Sequence, residues 1–366
     1  MSTCFRCCSL ILAPLGAAEA EILIGTAAQI TGDYSWLGEQ VERGAAMAVD
    51  DLNAAGGVLG EPVRLILVDD YCRGDQAVAA ARKLVSDGVV FVAGHPCSGA
   101  AIPASKVYEE AGTPMISSTA SNPKLTDEGG PNIFRMAGRD DQIGRISGDW
   151  LADRWGDAQI AIIHDGQAYG KGLAEEVKRQ LNERGVHEVM YEAIVPGRLE
   201  YIDLILQMQA AGVDVLYYAG YSTEAALVIR QARDRGYDLQ LVSGDSLYTE
   251  QFWLVAGPAG EGALFISAPD PRENPEAAEV VRRFRAANYE PEGGTLYTYA
   301  SIQVWAQAVE QAGTTKLGAV IEALRSHEFD TVLGRVGFDD NGDVTGTETY
   351  IWYAWKDGKY VPAQPE

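Results

Sequence analysis

The chain has 366 residues, 47% of them hydrophobic and 22% charged, enough apolar material for packed cores in two or three domains. Its 52 acidic residues outnumber 29 Lys and Arg, a formal charge of −23. Such an excess repels phosphate backbones and anionic lipid, which excludes nucleic-acid binding by counterion release and a basic membrane-surface patch. The body of the chain holds no run of eighteen uncharged apolar residues, so no membrane span is predicted.

Residues 1–20 have the layout of a secretory signal peptide. Arg6 precedes a short apolar stretch, Leu10-Ile11-Leu12-Ala13-Pro14-Leu15, and Ala18-Glu19-Ala20 forms a small-residue cleavage site. A buried N-terminal helix is the plainer alternative. Removing the leader deletes one base, Arg6, and one acid, Glu19, so the net charge is unchanged. Of five cysteines, three lie in the leader, leaving Cys72 and Cys97. In an oxidising compartment such a pair is expected to bond, with two buried free thiols as the alternative. Two cysteines without clustered histidines make no zinc site, and no metal or cofactor is expected.

From residue 22 strands and helices alternate. Strands are predicted at Ile22–Ala27, Val63–Val68, Val89–Ala93, Met115–Ser118, Ile160–His164, Val189–Ala193, Val215–Ala219, Leu239–Ser243 and Ala263–Ser267. These short, often β-branched runs suit strands buried on both faces. Helical spacing falls between them, at 37–52, 76–85, 100–110, 172–184, 204–211, 224–235 and 277–288, then at 297–312 and 317–326. The alternation predicts parallel sheets covered by helices, an α/β architecture. Nine units exceed one comfortable sheet, and the rhythm breaks at 136–141 and 268–271. These breaks read as crossings between two lobes, 21–139 plus 269–346 and 140–268 plus 347–366. Asn341-Gly342 marks a hairpin tip, its glycine too early for an EF-hand, and a last strand is expected at 349–355.

Open parallel sheets bind ligands beyond the carboxyl ends of their strands. There the sequence places Ser98, Thr119 and Ser121 in one half, and Tyr169, Tyr221 and Asp245 in the other. Ser98 opens a helix, either as an N-cap alone or as a cap that also contacts an anion. Jointly these residues describe a recess with hydroxyls and helix N-termini on one wall, facing a carboxylate and two aromatic rings. An α-amino acid has the matching parts: a carboxylate, an ammonium and a side chain. Trp36 either covers the side-chain end or packs at a helix start.

Five segments carry a resemblance to a known family. They are Asp51-Leu52-Asn53-Ala54-Ala55-Gly56-Gly57, Asp69-Asp70-Tyr71-Cys72, Gly94-His95-Pro96-Cys97-Ser98, residues 164–172 and Tyr217-Tyr218-Ala219-Gly220-Tyr221. The chain resembles the periplasmic substrate-binding proteins of branched-chain amino acid ABC transporters over nearly all of residues 21–356. The resemblance implies a type I periplasmic binding fold, two doubly wound parallel-sheet lobes joined by three hinge crossings. It also implies a Cys72–Cys97 disulfide, no cofactor, and a soluble periplasmic monomer that delivers its ligand to a membrane permease. Ser98, Thr119 and Ser121 would take the ligand's carboxylate and part of its ammonium, Thr119 mainly through backbone atoms. Tyr169, Tyr221 and Asp245 would close from the second lobe, with Asp245 on the ammonium. The family often has Glu where this chain has Asp245, and Tyr where it has Leu37. The edge around Tyr297 also differs.

Two other readings stay open: the same fold binding an amide, an aromatic acid or a polar amino acid, and a sensory ligand-binding module. An enzyme is disfavoured. Gly56-Gly57-Val58-Leu59-Gly60 follows a helix rather than a strand, so it is no dinucleotide turn, and no Gly-x-Ser-x-Gly elbow occurs. His164 reads as a strand-end packing or hydrogen-bonding residue.

Overall fold

The computed structural model describes residues 21–347 and 349–363. The expected leader therefore lies outside the described residues. Two large sheets form. The first contains β1 (Ile22–Ala28), β2 (Val63–Asp69), β3 (Phe91–Ala93), β4 (Met115–Ser117) and β5 (Ile133–Arg135). All are parallel, in the order β2-β1-β3-β4-β5. The second contains β6 (Ile160–His164), β7 (Met190–Ala193), β8 (Val215–Ala219), β9 (Gln240–Ser243) and β10 (Leu264–Ser267). These run parallel in the order β7-β6-β8-β9-β10. A small third sheet joins β11 (Phe329–Thr331), β12 (Gly334–Phe338) and β13 (Val344–Thr345). Then β14 (Ile351–Lys356) and β15 (Lys359–Pro362) extend the second sheet as antiparallel edge strands.

Both faces of each sheet are covered. Along β6, Ile160 and Ile162 pack with Leu173 and Val177, while Ala161 and Ile163 pack with Ile205 and Val228. That is the alternation a strand imposes. In the first sheet Phe91 stacks on Trp305 of helix Thr295–Ala312 at 5.1 Å, so a late chain segment completes the early core. The chain passes between the two sheets three times: after β5, after β10 and before β14.

Most expected strands shift by one or two residues. Structural features not anticipated include β5, β11, β15 and the helices Lys124–Asp127, Asp140–Trp155 and Glu250–Ala256. One expectation is corrected. Ser98 does not cap helix Ser98–Ala111; Cys97 holds the N-cap position and Ser98 is the first helical residue. The Ser98 hydroxyl instead accepts from the Asn122 N–H at 3.2 Å.

Both large sheets carry the strand order in which neighbouring crossovers run in opposite directions, between β1 and β3 and between β6 and β8. Such a switch point leaves a crevice beyond the strand ends. The loops at these two points bring together Trp36, Pro96 and Ser98 from one sheet, and Tyr169 and Tyr221 from the other.

Candidate functional site

Between the sheets lies a cavity of about 110 Å³. All seven residues singled out from the sequence line it: Trp36, Ser98, Thr119, Ser121, Tyr169, Tyr221 and Asp245. Ser98 and Asp245 therefore face one gap. Leu37, Gln40, Gly293, Gly294, Tyr297 and Tyr350 line it too.

On the first wall the polypeptide is held by a sealed polar chain. Asp70 Oδ2 and His95 Nδ1 are 2.6 Å apart, and His95 Nε2 lies 3.0 Å from the Tyr108 hydroxyl, with the His95 and Asp70 side chains fully buried. Asp70 Oδ1 accepts from Cys72 N–H at 2.8 Å. Cys72 is disulfide-bonded to Cys97, their Cα atoms 5.5 Å apart. These links fix Pro96 and Cys97, and hence the start of the helix that carries Ser98. The Thr119 hydroxyl donates to Pro96 O at 3.1 Å, so it offers the cavity oxygen lone pairs rather than a proton.

On the second wall Tyr169 donates to Asp245 Oδ1 at 2.9 Å. Its ring lies 5.4 Å from that of Tyr221, whose hydroxyl is 3.7 Å from Cys72 Sγ. Burial pushes the Asp245 carboxyl above its ordinary value, and the Tyr169 hydroxyl opposes that shift.

Sequence reasoning missed a second buried carboxyl, beside Asp245 but outside the cavity lining. Asp140 begins the helix after the first crossing and is 0% exposed. Its N–H donates to Ser121 O at 2.9 Å, and neither of its carboxylate oxygens is in a formed hydrogen bond. Burial pushes this carboxyl well up, the nearby Asp245 charge adds to the push, and the Ser121 hydroxyl opposes it. The signal was Asp140-Asp141 at a break in rhythm, read as a crossing and not as part of the site. Among the lining residues there is no Lys, Arg or His. The arrangement thus offers hydroxyls and helix N–H groups on one side, and the buried Asp245 carboxyl, with no cation in the lining, on the other.

His164 caps its strand end: Nδ1 accepts from Gly166 N–H at 3.0 Å, and the ring packs 5.2 Å from Tyr191. The cleft is closed by direct contacts. Asn122 Nδ2 donates to Ala168 O at 2.7 Å, and Glu292 accepts from the Thr249 hydroxyl at 2.8 Å and the Glu250 N–H at 2.9 Å. No helix among the described residues is long and apolar enough to cross a membrane.

Residues 21–359 match the family described as periplasmic binding protein. The Leu/Ile/Val-binding protein homolog 1 of Brucella suis biovar 1 is 43% identical over 348 residues, 94% of each chain. A crystal structure of a leucine-binding protein from Thermotoga maritima superposes with a TM-score of 0.85 at 23% identity, covering 94% of this chain and 98% of that one. The branched-chain amino acid transporter substrate-binding protein LivJ of Streptococcus pneumoniae, in complex with isoleucine, gives 0.83 at 25% identity, covering 94% and 100%. Two doubly wound lobes with three crossings, a cleft at facing switch points and this match over most of the chain agree: the chain belongs to the periplasmic binding protein family, a binding protein of type I fold and not an enzyme.

Proposed function

We propose that the chain is an exported, periplasmic protein that captures an α-amino acid of the branched-chain type by lobe closure and delivers it to a membrane ABC permease. Residues 21–139 plus 269–346 act as one lobe, and 140–268 plus 347–366 as the other. One observation carries the reading: the cavity pairs the buried Asp245 carboxyl, without any lining cation, with a wall of hydroxyls. A zwitterion supplies what each wall lacks. Its ammonium pairs with Asp245, and its carboxylate meets Ser98, Ser121 and the backbone at Thr119. Tyr169 orients Asp245, Tyr221 walls the backbone end, and Trp36 covers the side chain.

Closure follows from where these groups sit. The hydroxyls belong to one lobe and Asp245 and the tyrosines to the other, so a ligand bridging them favours the closed form by its differential contacts. The name of the Brucella relative, at 43% identity, supports leucine, isoleucine or valine as the ligand type. Mass spectrometry of ligand released from the purified protein, followed by titration with those three amino acids, tests the proposal. Release of a non-amino-acid ligand, with no response to any of the three, would overturn it.

A further inference from the structure

Helix Ser35–Ala54 lines the cavity with Trp36, Leu37 and Gln40. Trp36 and Gln40 are four residues apart and share one face of that helix. Gln40 is 4% exposed, and its Oε1 accepts from the Gly294 N–H at 2.9 Å. An amide held by its oxygen has its orientation fixed. Nothing among the described residues accepts from Gln40 Nε2, which remains a donor at the cavity wall. The turn is shaped for this amide: Gly293 has φ +53°, and a Cβ there would lie 2.3 Å from Gln40 Oε1. One turn earlier on the same face, Trp36 Nε1 is also buried without an acceptor.

The buried Trp36 donor is costly unless an occupant supplies an acceptor, and Gln40 Nε2 beside it is free to donate to the same occupant. The occupant's acceptor has to be neutral, because the cavity already holds Asp245 with Asp140 beside it and is lined by no cation. We propose that Gln40 reads the end of the ligand's side chain and that the preferred class is an α-amino acid with a forked side chain bearing a neutral acceptor. Asparagine has the fork of leucine with an amide in place of two methyls. Threonine has the fork of valine with a hydroxyl in place of one. The inference rests on the α-amino acid part of the reading above and departs from its aliphatic side chain, keeping the branched shape.

Calorimetric titration with these isosteric pairs decides it, using the wild-type protein and Gln40→Leu. The wild type should bind asparagine at least tenfold more tightly than leucine, and threonine more tightly than valine. Gln40→Leu should bring both ratios to about one or below. Leucine and valine binding as tightly as their polar partners in the wild type would overturn the proposal, and this arm stands even if Gln40→Leu does not fold. An equal loss for both members of a pair would also overturn it, since the amide would then contact the part common to all amino acids. If only aliphatic amino acids bind, this inference falls and the amino acid reading stands. If no α-amino acid binds, both fall.

Discussion

The Tyr34 hydroxyl, carried by the first lobe, donates to the Glu224 carboxylate of the second at 3.2 Å. Its ring lies 4.5 Å from that of Tyr221, and Gln167 Nε2 donates to its oxygen at 3.1 Å. Glu224 is 1% exposed and also accepts from the Gly197 N–H at 3.1 Å. A first-lobe side chain thus completes a polar pocket behind a ring that lines the ligand cavity.

Tyr34→Phe should therefore weaken closure without touching the ligand. A hydrogen bond to a buried carboxylate contributes about 1.5 kcal/mol, so ligand affinity should fall about tenfold. The change should appear as faster dissociation in stopped-flow fluorescence. Unchanged dissociation would show that this contact contributes nothing to the closed state.

Asp140→Asn separates stability from binding. Replacing a buried carboxyl that burial and Asp245 disfavour should not lower the melting temperature of the ligand-free protein. Amino acid affinity should nonetheless fall severalfold, because Asp140 lies beside Asp245 and shapes the field that the ammonium meets. A lower melting point with unchanged affinity would make Asp140 a structural residue only.

Stability should depend on pH through Asp165. Burial pushes its carboxyl up to about 7, against the Gln167 N–H at 2.9 Å. A carboxyl raised in the fold from about 4 stabilises fully when protonated, and that contribution is lost as pH rises through 7. Burial also raises Glu292 to about 7. The melting temperature should fall between pH 5 and 8, and Asp165→Asn should flatten the fall. At Asp343 burial is outweighed by Arg135, which holds the carboxyl low, so its contribution is lost only at strongly acid pH. A melting temperature that rises from pH 5 to 8 would contradict this assignment.

The Cys72–Cys97 bridge spans 25 residues, and closing a loop of that size stabilises by about 3 kcal/mol in the chain-entropy model. Urea unfolding of the Cys72→Ala/Cys97→Ala double variant should show a loss of that order. Ligand affinity should fall as well, because the bridge anchors the start of the Ser98 helix. A midpoint equal to that of the wild type would assign the bridge no stabilising role.

Much of the architecture was legible because buried parallel strands are written as short β-branched runs. Helix Asp140–Trp155 was not. It packs through Gly144 and Gly148, where a Cβ would lie 2.4 Å from Glu176 Cβ and 2.6 Å from Gln180 Cβ. A face made of glycine and buried Ser147 lacks the apolar period that marks a helix. Strand β5 was hidden by Arg135, a charge buried at 0% exposure because Asp343, distant in sequence, pairs with it at 2.6 Å. For β15 a signal existed: Asp357-Gly358, both at positive φ, is a two-residue hairpin turn. The strand-end hydroxyls and Asp245 were readable from position. Asp140 and Gln40 were not, since their importance comes from burial and from the Gly294 N–H, which only folding brings near.

The central claim is that one dipolar amino acid bridges Ser98 and Asp245. Isothermal titration of leucine into the wild type and Asp245→Ala tests it most directly. The account predicts a loss of at least thirtyfold, about 2 kcal/mol, because the ammonium loses its charged partner. Equal affinities in the two proteins would contradict it.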